Sequence, residues 1–187
     1  MTTQLFVLLL IATVLVVYAA IAFTAWIRLR GTRVVACPET HKPAAVTIDG
    51  THAAVTAVWE KADLRLDTCS RWPEHRDCDQ ACVAQIVESG DETRARTIAA
   101  HFFEGRRCAI CHHPIDAIDA AALQPGLLDP VTHGVSAWDE VKVQDLADAF
   151  HTRKPTCANC TLAESFRQRF PERVVDRIPR PGTEIQQ

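Results

Sequence analysis

The chain has 187 residues and a formal net charge of −3, with 20 Lys and Arg against 23 Asp and Glu. That balance lacks the basic excess of a domain that lives on phosphate backbones, so nucleic acid is not expected as a partner. Length admits an anchor plus one modest globular unit or two very small ones. Aromatic residues, at 6 %, are too few for a generous core, and the eight cysteines are candidate staples.

Residues 5–27 form an almost unbroken apolar run, interrupted mildly by Thr13, Tyr18 and Thr24 and free of charge. As a helix this run is long enough to cross a hydrocarbon core of about 30 Å. Trp26 sits where an interfacial ring is expected. A cleaved signal peptide would need a basic start and a shorter apolar core. Residues 1–4 are uncharged, and the small-residue triplet Ala20-Ile21-Ala22 lies inside the run. Arg28, Arg30 and Arg33 follow the run and no basic residue precedes it. By the positive-inside rule the protein is expected in the inner or cell membrane as a single-pass span, with residues 1–4 outside and everything after the helix in the cytoplasm.

From 34 to 67 the pattern is strand-like: Val46 and Ile48 alternate with Thr47, Asp49-Gly50 reads as a hairpin turn, and Leu64 and Leu66 alternate before Cys69. Trp72-Pro73 breaks the chain direction. A helix is predicted over 79–88, and a second from a cap at Asp91 to Phe103, with Ile98 and Phe102 facing inward and Gly105 ending it. Residues 123–138 read as a hairpin, with Leu127 and Leu128 on one arm, Gly134 near the turn, and Val135 and Trp138 on the other. Short helices are predicted over 143–150 and 161–170, the second stopped by Pro171. The tail from 178 carries Pro179, Pro181 and Gly182 and should fray. Apart from Cys-x-x-Cys, no internal repeat is evident.

Cys108-Ala-Ile-Cys111 and Cys157-Ala-Asn-Cys160 share one spacing. A two-residue gap lets both thiolates of a pair reach one ion about 2.3 Å away, and two pairs complete a tetrahedron. The second pair opens a predicted helix, whose free N–H groups favour thiolate charge. Arg106, Arg107, Arg153 and Lys154 precede the pairs and would help offset a negative centre. Cys37, Cys69, Cys78 and Cys82 remain, the count for a second closed site. Cys78 and Cys82 are expected one helical turn apart on one face; His41 or His75 could replace one thiol. The rival for these four is buried reduced thiols behaving as small hydrophobes.

Pair, hairpin and helix bearing the second pair resemble the treble-clef zinc fold over residues 108–170. The resemblance implies a structural zinc site on Cys108, Cys111, Cys157 and Cys160. Two departures accompany it: the gap between pairs requires the 143–150 helix as an insertion, and His112 stands where such a knuckle often has glycine. Val35-Ala36-Cys37-Pro38, Cys69-Ser70-Arg71-Trp72-Pro73 and the two pairs together also resemble a group of uncharacterised membrane-anchored bacterial proteins, which implies no activity.

The expected class is α+β: an N-terminal transmembrane helix followed by small metal-stabilised domains, the C-terminal part treble-clef-like. The expected divisions are 1–4, the span at 5–27, a β-rich cysteine module at 28–90, a zinc module at 91–177 and a tail at 178–187. Zinc in one site, with a second site open, and a protein partner at the membrane follow from this reading. Three other chemistries share the residues. A thiol–disulfide relay would use the Cys-x-x-Cys pairs, but no thioredoxin-like βαβ context surrounds either. Cys108-x-x-Cys111-His112 is the c-type haem pattern, yet it leaves Cys157 and Cys160 unexplained and needs export. Iron bound by four cysteines has the same spacing as zinc. His112, His113, His133 and His151 read as solvated histidines, and Asp116, Asp119, Asp139 and Glu140 as caps or solvated faces, so no catalytic residues are assigned.

Overall fold

A computed structural model describes residues 2–173 other than 60, 73, 75, 76 and 120. His75, Pro73 and the tail from 178 therefore lie outside the described residues. The chain packs as two compact units, Met1–Phe102 with Val141–His151, and Phe103–Glu140 with Thr152–Gln187. The expected boundary after residue 90 is displaced. Most of the helix before Gly105, and the short helix near 150 as far as His151, belong to the first unit.

Helix α1 (Thr2–Leu29) opens the first unit. Residues 3 to 29 are long and apolar enough to cross a membrane, and their most apolar stretch is not buried against the rest of the protein. A signal sequence meets the same criterion of length and composition. Strands β1 (Thr32–Ala36), β2 (Pro43–Ile48) and β3 (Leu66–Cys69) form an antiparallel sheet in chain order. Thr32 pairs with Thr47 and Val46 with Cys69, with an irregularity between Thr47 and Ile48. The period-2 pattern works as read: Ala44, Val46 and Ile48 are buried, and Thr47 turns the other way to bond the Thr68 hydroxyl at 2.5 Å. Val35, Leu66, Ala53, Cys82 and Ile86 complete this small core.

Asp49-Gly50 is not a hairpin turn. The Asp49 carboxylate accepts from the N–H groups of Thr51 and His52, at 3.1 and 2.9 Å, and so caps helix α2 (Gly50–Thr56). Gly50 lets this helix approach α1, since a Cβ there would stand 3.3 Å from the Trp26 ring. Arg30 also lies over the Trp26 ring, its guanidinium 5.0 Å from the ring centroid. Helix α3 (Val83–Ser89) starts later than predicted, because Gln80 takes a left-handed φ of 57°. Its side-chain oxygen accepts from the Leu66 N–H at 3.0 Å. Gln85 grips the edge of β1 with both ends of its amide, 2.9 Å from the Ala36 N–H and 2.7 Å from its carbonyl. The predicted helix from Asp91 divides into a 3₁₀ turn (Gly90–Thr93) and α4 (Ala95–Phe103). The extended Arg94 between them bridges to Arg33. Helix α5 (Leu146–Thr152) follows a 3₁₀ turn, and its Phe150 stacks on Phe102 with ring centroids 4.2 Å apart.

In the second unit, β4 (Gly126–Leu128) pairs with β5 (Val135–Ala137) as the predicted hairpin, and Leu128 meets Val135. A third strand not foreseen, β6 (Lys154–Thr156), joins the other edge of β4. Helix α6 (Ala158–Arg169) begins three residues earlier than predicted and ends before Pro171. Among the unit's side chains Phe103, Leu127, Thr156 and Cys108 are the largest that are fully buried.

Arg33 is no free surface charge. Its side chain is buried, donating to the Gly90 carbonyl at 2.5 Å, the Thr93 hydroxyl at 2.9 Å and the Arg28 carbonyl at 2.9 Å. Arg94 also donates to the Arg28 carbonyl. Two guanidinium groups thus cap the last turn of α1, where unpaired carbonyls and the dipole favour cations. Replacing Arg33 with Met removes three bonds from a buried site and should cost about 3 kcal/mol. Denaturant titration of the full-length protein in detergent checks this; a loss no larger than that of Arg30→Met would contradict it.

Candidate metal centre

The first cysteine pair rides on a turn built around Cys108. The Cys108 N–H donates to the His113 carbonyl at 2.9 Å, and the His112 N–H donates back to the Cys108 carbonyl at 3.0 Å. His112 closes this turn at a φ of 60°, taking the left-handed conformation for which glycine is usually chosen. The Ile110 N–H faces the Cys108 sulfur at 3.4 Å. Arg107 steadies the turn from outside by donating to the His112 carbonyl at 3.2 Å.

The second pair is set by β6 and α6. Cys157 stands at the N-cap position of α6 and Cys160 lies in its first turn. Thr161 bonds the Cys157 carbonyl through both its N–H, at 2.9 Å, and its hydroxyl, at 3.0 Å. The Thr156 and Thr161 hydroxyls meet at 2.9 Å. The two pairs are joined by one backbone bond, from the Ala109 N–H to the Pro155 carbonyl at 2.8 Å.

The result is one cluster. The sulfurs of Cys108, Cys111, Cys157 and Cys160 all lie within 4.8 Å of one another, close enough to hold a metal ion. Cys111 and Cys157 are 3.7 Å apart, sulfur to sulfur. Metal–sulfur bonds of about 2.3 Å in a tetrahedron give sulfur–sulfur edges of about 3.8 Å, whereas a disulfide needs about 2.05 Å. All eight cysteines are free thiols. Cys108 is 1 % exposed, whereas Cys111 is exposed.

Charge is unevenly shared among the four. Burial pushes the Cys108 thiol up, but the N–H groups of Cys111, Cys157 and Ile110 outweigh it and bring its pKa down to about 6. Burial, then bonds to the neighbouring sulfurs, pushes Cys160 up; burial also raises Cys157. Sulfurs this close oppose one another's ionisation, so Cys108 is lowered while Cys157 and Cys160 are raised. A divalent ion would displace the remaining protons.

The other four predicted ligands come together more loosely. Cys37 follows β1, Cys69 ends β3, Cys78 lies in irregular chain, and Cys82 precedes α3, so the last two do not share a helical face. All four line one cavity of about 20 Å³, together with Leu66, Ala44 and Gln80. Among the described residues only the Cys108 cluster brings three or more ligand atoms within 4.8 Å. His41 is exposed and does not line this cavity. Cys82 is raised to about 11 by burial and by the surrounding thiols; Cys37 is lowered by the Thr40 hydroxyl and by backbone N–H groups. Sequence reasoning missed Gly126 and Thr161 as supports of the metal centre; the approach of a bare strand glycine to a helix has no signature in a single chain.

The chain matches no family model, no curated protein and no solved structure.

Two outcomes follow from this geometry. A Cβ at Gly126 would stand 2.5 Å from the Thr161 hydroxyl and 2.7 Å from the Ser136 carbonyl. Gly126→Ala should therefore push α6 from the hairpin and weaken metal binding by about tenfold, read by competition with a chromogenic chelator. In chelated, reduced protein the thiols also set the pH dependence. Cys108, lowered, contributes stability that is full above the unfolded thiol pKa of about 8.5 and is lost as pH falls through about 6. Cys157 and Cys160, raised, contribute stability that is present below about 8.5 and lost as pH rises beyond it. Thermal melts should show a maximum at about pH 8.5, and added metal should remove the alkaline decline.

Proposed function

We propose that this chain is a single-pass membrane protein carrying a structural zinc ion in a cytoplasmic domain, and that it acts as a non-enzymatic adaptor presenting a surface to a protein partner. The observation that carries the reading is the Cys108, Cys111, Cys157 and Cys160 cluster. Four thiolates around one ion leave no open position for a substrate or water, which suits zinc as a staple rather than a catalyst. The succession of turn, hairpin and helix bearing the second pair supports a treble-clef-like arrangement, with β6 added to β4 and residues 141–151 diverted to the other unit.

The exposed apolar helix supports the anchor. Arg28 and Arg30 remain exposed at its C-terminal end and support a cytoplasmic domain, although Arg33 is occupied inside the fold. A protein-binding role is supported by an open groove of about 700 Å³ beside α6, walled by Leu123, Leu162, Phe166 and Phe170. Leu123, in the loop before β4, is 58 % exposed and Leu162 of α6 53 %, so both groove walls leave apolar surface in solvent. A thiol–disulfide relay requires an accessible low-pKa thiol. Cys108, the cluster thiol brought down to about 6, is 1 % exposed, and this favours the structural role.

Single Cys108→Ser and Cys111→Ser variants of the full chain separate the readings. Loss of zinc and collapse of the C-terminal unit, a loss on the order of 10 kcal/mol of metal-linked stability, is expected for each. A folded, metal-loaded protein from both variants, or a trapped mixed disulfide on an intact fold, would overturn the structural reading. Orientation is checked in bacterial cells with the outer membrane opened: added protease should spare the C-terminal units until the inner membrane is lysed.

A further inference from the structure

The first unit contains its own convergence of soft ligands, separate from the Cys108 cluster and sharing no residue with it. The turn after β1 presents Cys37 as the metal centre presents Cys108. The Cys37 N–H donates to the Lys42 carbonyl at 2.9 Å, and the His41 N–H donates to the Cys37 carbonyl at 2.8 Å, with His41 at a φ of 53°. Thr40 stands where the other turn carries its second cysteine, Cys111. The same turn occurs once more from Asp129 to Gly134, with His133 at a φ of 56°. There the Asp129 carboxylate accepts from the N–H groups of Val131 and Thr132. The turn therefore orients an electron-rich side chain against backbone N–H groups, and does not by itself specify a metal.

What specifies one is the company Cys37 keeps. Its backbone N–H and carbonyl neighbour β1, whose end is gripped by Gln85 of α3. Gln80 ties the segment between Cys78 and Cys82 to the start of β3, the strand that ends in Cys69. These two glutamines bring thiols from three separate stretches of chain onto one cavity of about 20 Å³, a volume that suits one ion or water and no larger ligand. The Arg71 N–H lies 3.5 Å from the Cys69 sulfur, and Arg71 also lines the cavity. Glu39 and Asp79 stand at the same cavity and favour a cation over an anion. We propose that Cys37, Cys69, Cys78 and Cys82 bind a second soft divalent cation, of the zinc, cobalt or cadmium class, drawn in on four sulfurs.

The test is loading of the full-length, reduced protein in detergent with cobalt(II), with metal counted by mass spectrometry and sulfur-to-cobalt charge-transfer absorption followed during titration. Two cobalt ions per chain are expected. Cys37→Ser with Cys78→Ser, both half-buried positions, should lower the count to one and halve the charge-transfer band. Because a variant could fail to fold, alkylation of the unmodified protein supplies a second readout. Cys37, Cys69, Cys78 and Cys82 should resist iodoacetamide until a chelator is added. One cobalt per chain with these four thiols alkylated would overturn the second site and leave the C-terminal one standing. Protection of these four together with free Cys108 and Cys111 would do the reverse. No cobalt at all would overturn both.

Discussion

The hydrogen bond from the Ala109 N–H to the Pro155 carbonyl governs the C-terminal unit. It connects the turn that holds Cys108 and Cys111 to the strand that runs into Cys157. Four sulfurs separated by up to 52 positions thereby meet at distances suited to one ion, although none of the intervening chain is metal-specific. The remaining parts of the unit serve that junction. β6 joins the sheet through β4, Gly126 leaves room for Thr161, and the two threonine hydroxyls lock the first turn of α6 to the strand before it. With so little apolar volume available, a cation held on these four thiolates would be a large term in the unit's stability.

The parts legible in the sequence are those decided by local pattern. The apolar run, the alternation in β2, the β4–β5 hairpin and the two Cys-x-x-Cys pairs each announce themselves within ten residues or so of their own neighbourhood, or by sheer length. The misreadings fall where a side chain elsewhere decides. Asp49-Gly50 looks like a turn because the same two residues that make hairpins also start helices; the carboxylate bonds to Thr51 and His52 settle which. Cys78 and Cys82 have helical spacing, but the Gln80 amide is spent on the Leu66 N–H and the helix starts only at Val83. Arg33 reads as a topogenic surface charge and is instead a buried cap. β6 is three residues long and contains Pro155, which no strand propensity would favour.

Three histidines in left-handed conformations, His41, His112 and His133, close three copies of one turn. Two copies share the pattern x-Pro-x-Thr-His, in Cys37-Pro38-Glu39-Thr40-His41 and Asp129-Pro130-Val131-Thr132-His133. The repetition is invisible when cysteines alone are counted, because its defining feature is a backbone conformation. It also explains why histidine beside a cysteine pair need not signal haem or catalysis here. His112 is placed by what its backbone does, and its ring is exposed.

The two units exchange chain. The first is interrupted after Phe102 and resumes only for Val141–His151, the stretch that brings Phe150 onto Phe102. Neither unit is therefore a segment that a gene could gain or lose whole. During synthesis the first unit lacks its last helix until His151 has been made, by which time both thiols of the first pair are present but neither of the second. For that interval Cys108 and Cys111 are half of the candidate ligand set, and any ion or thiol they met would be met before the finished fold could select it.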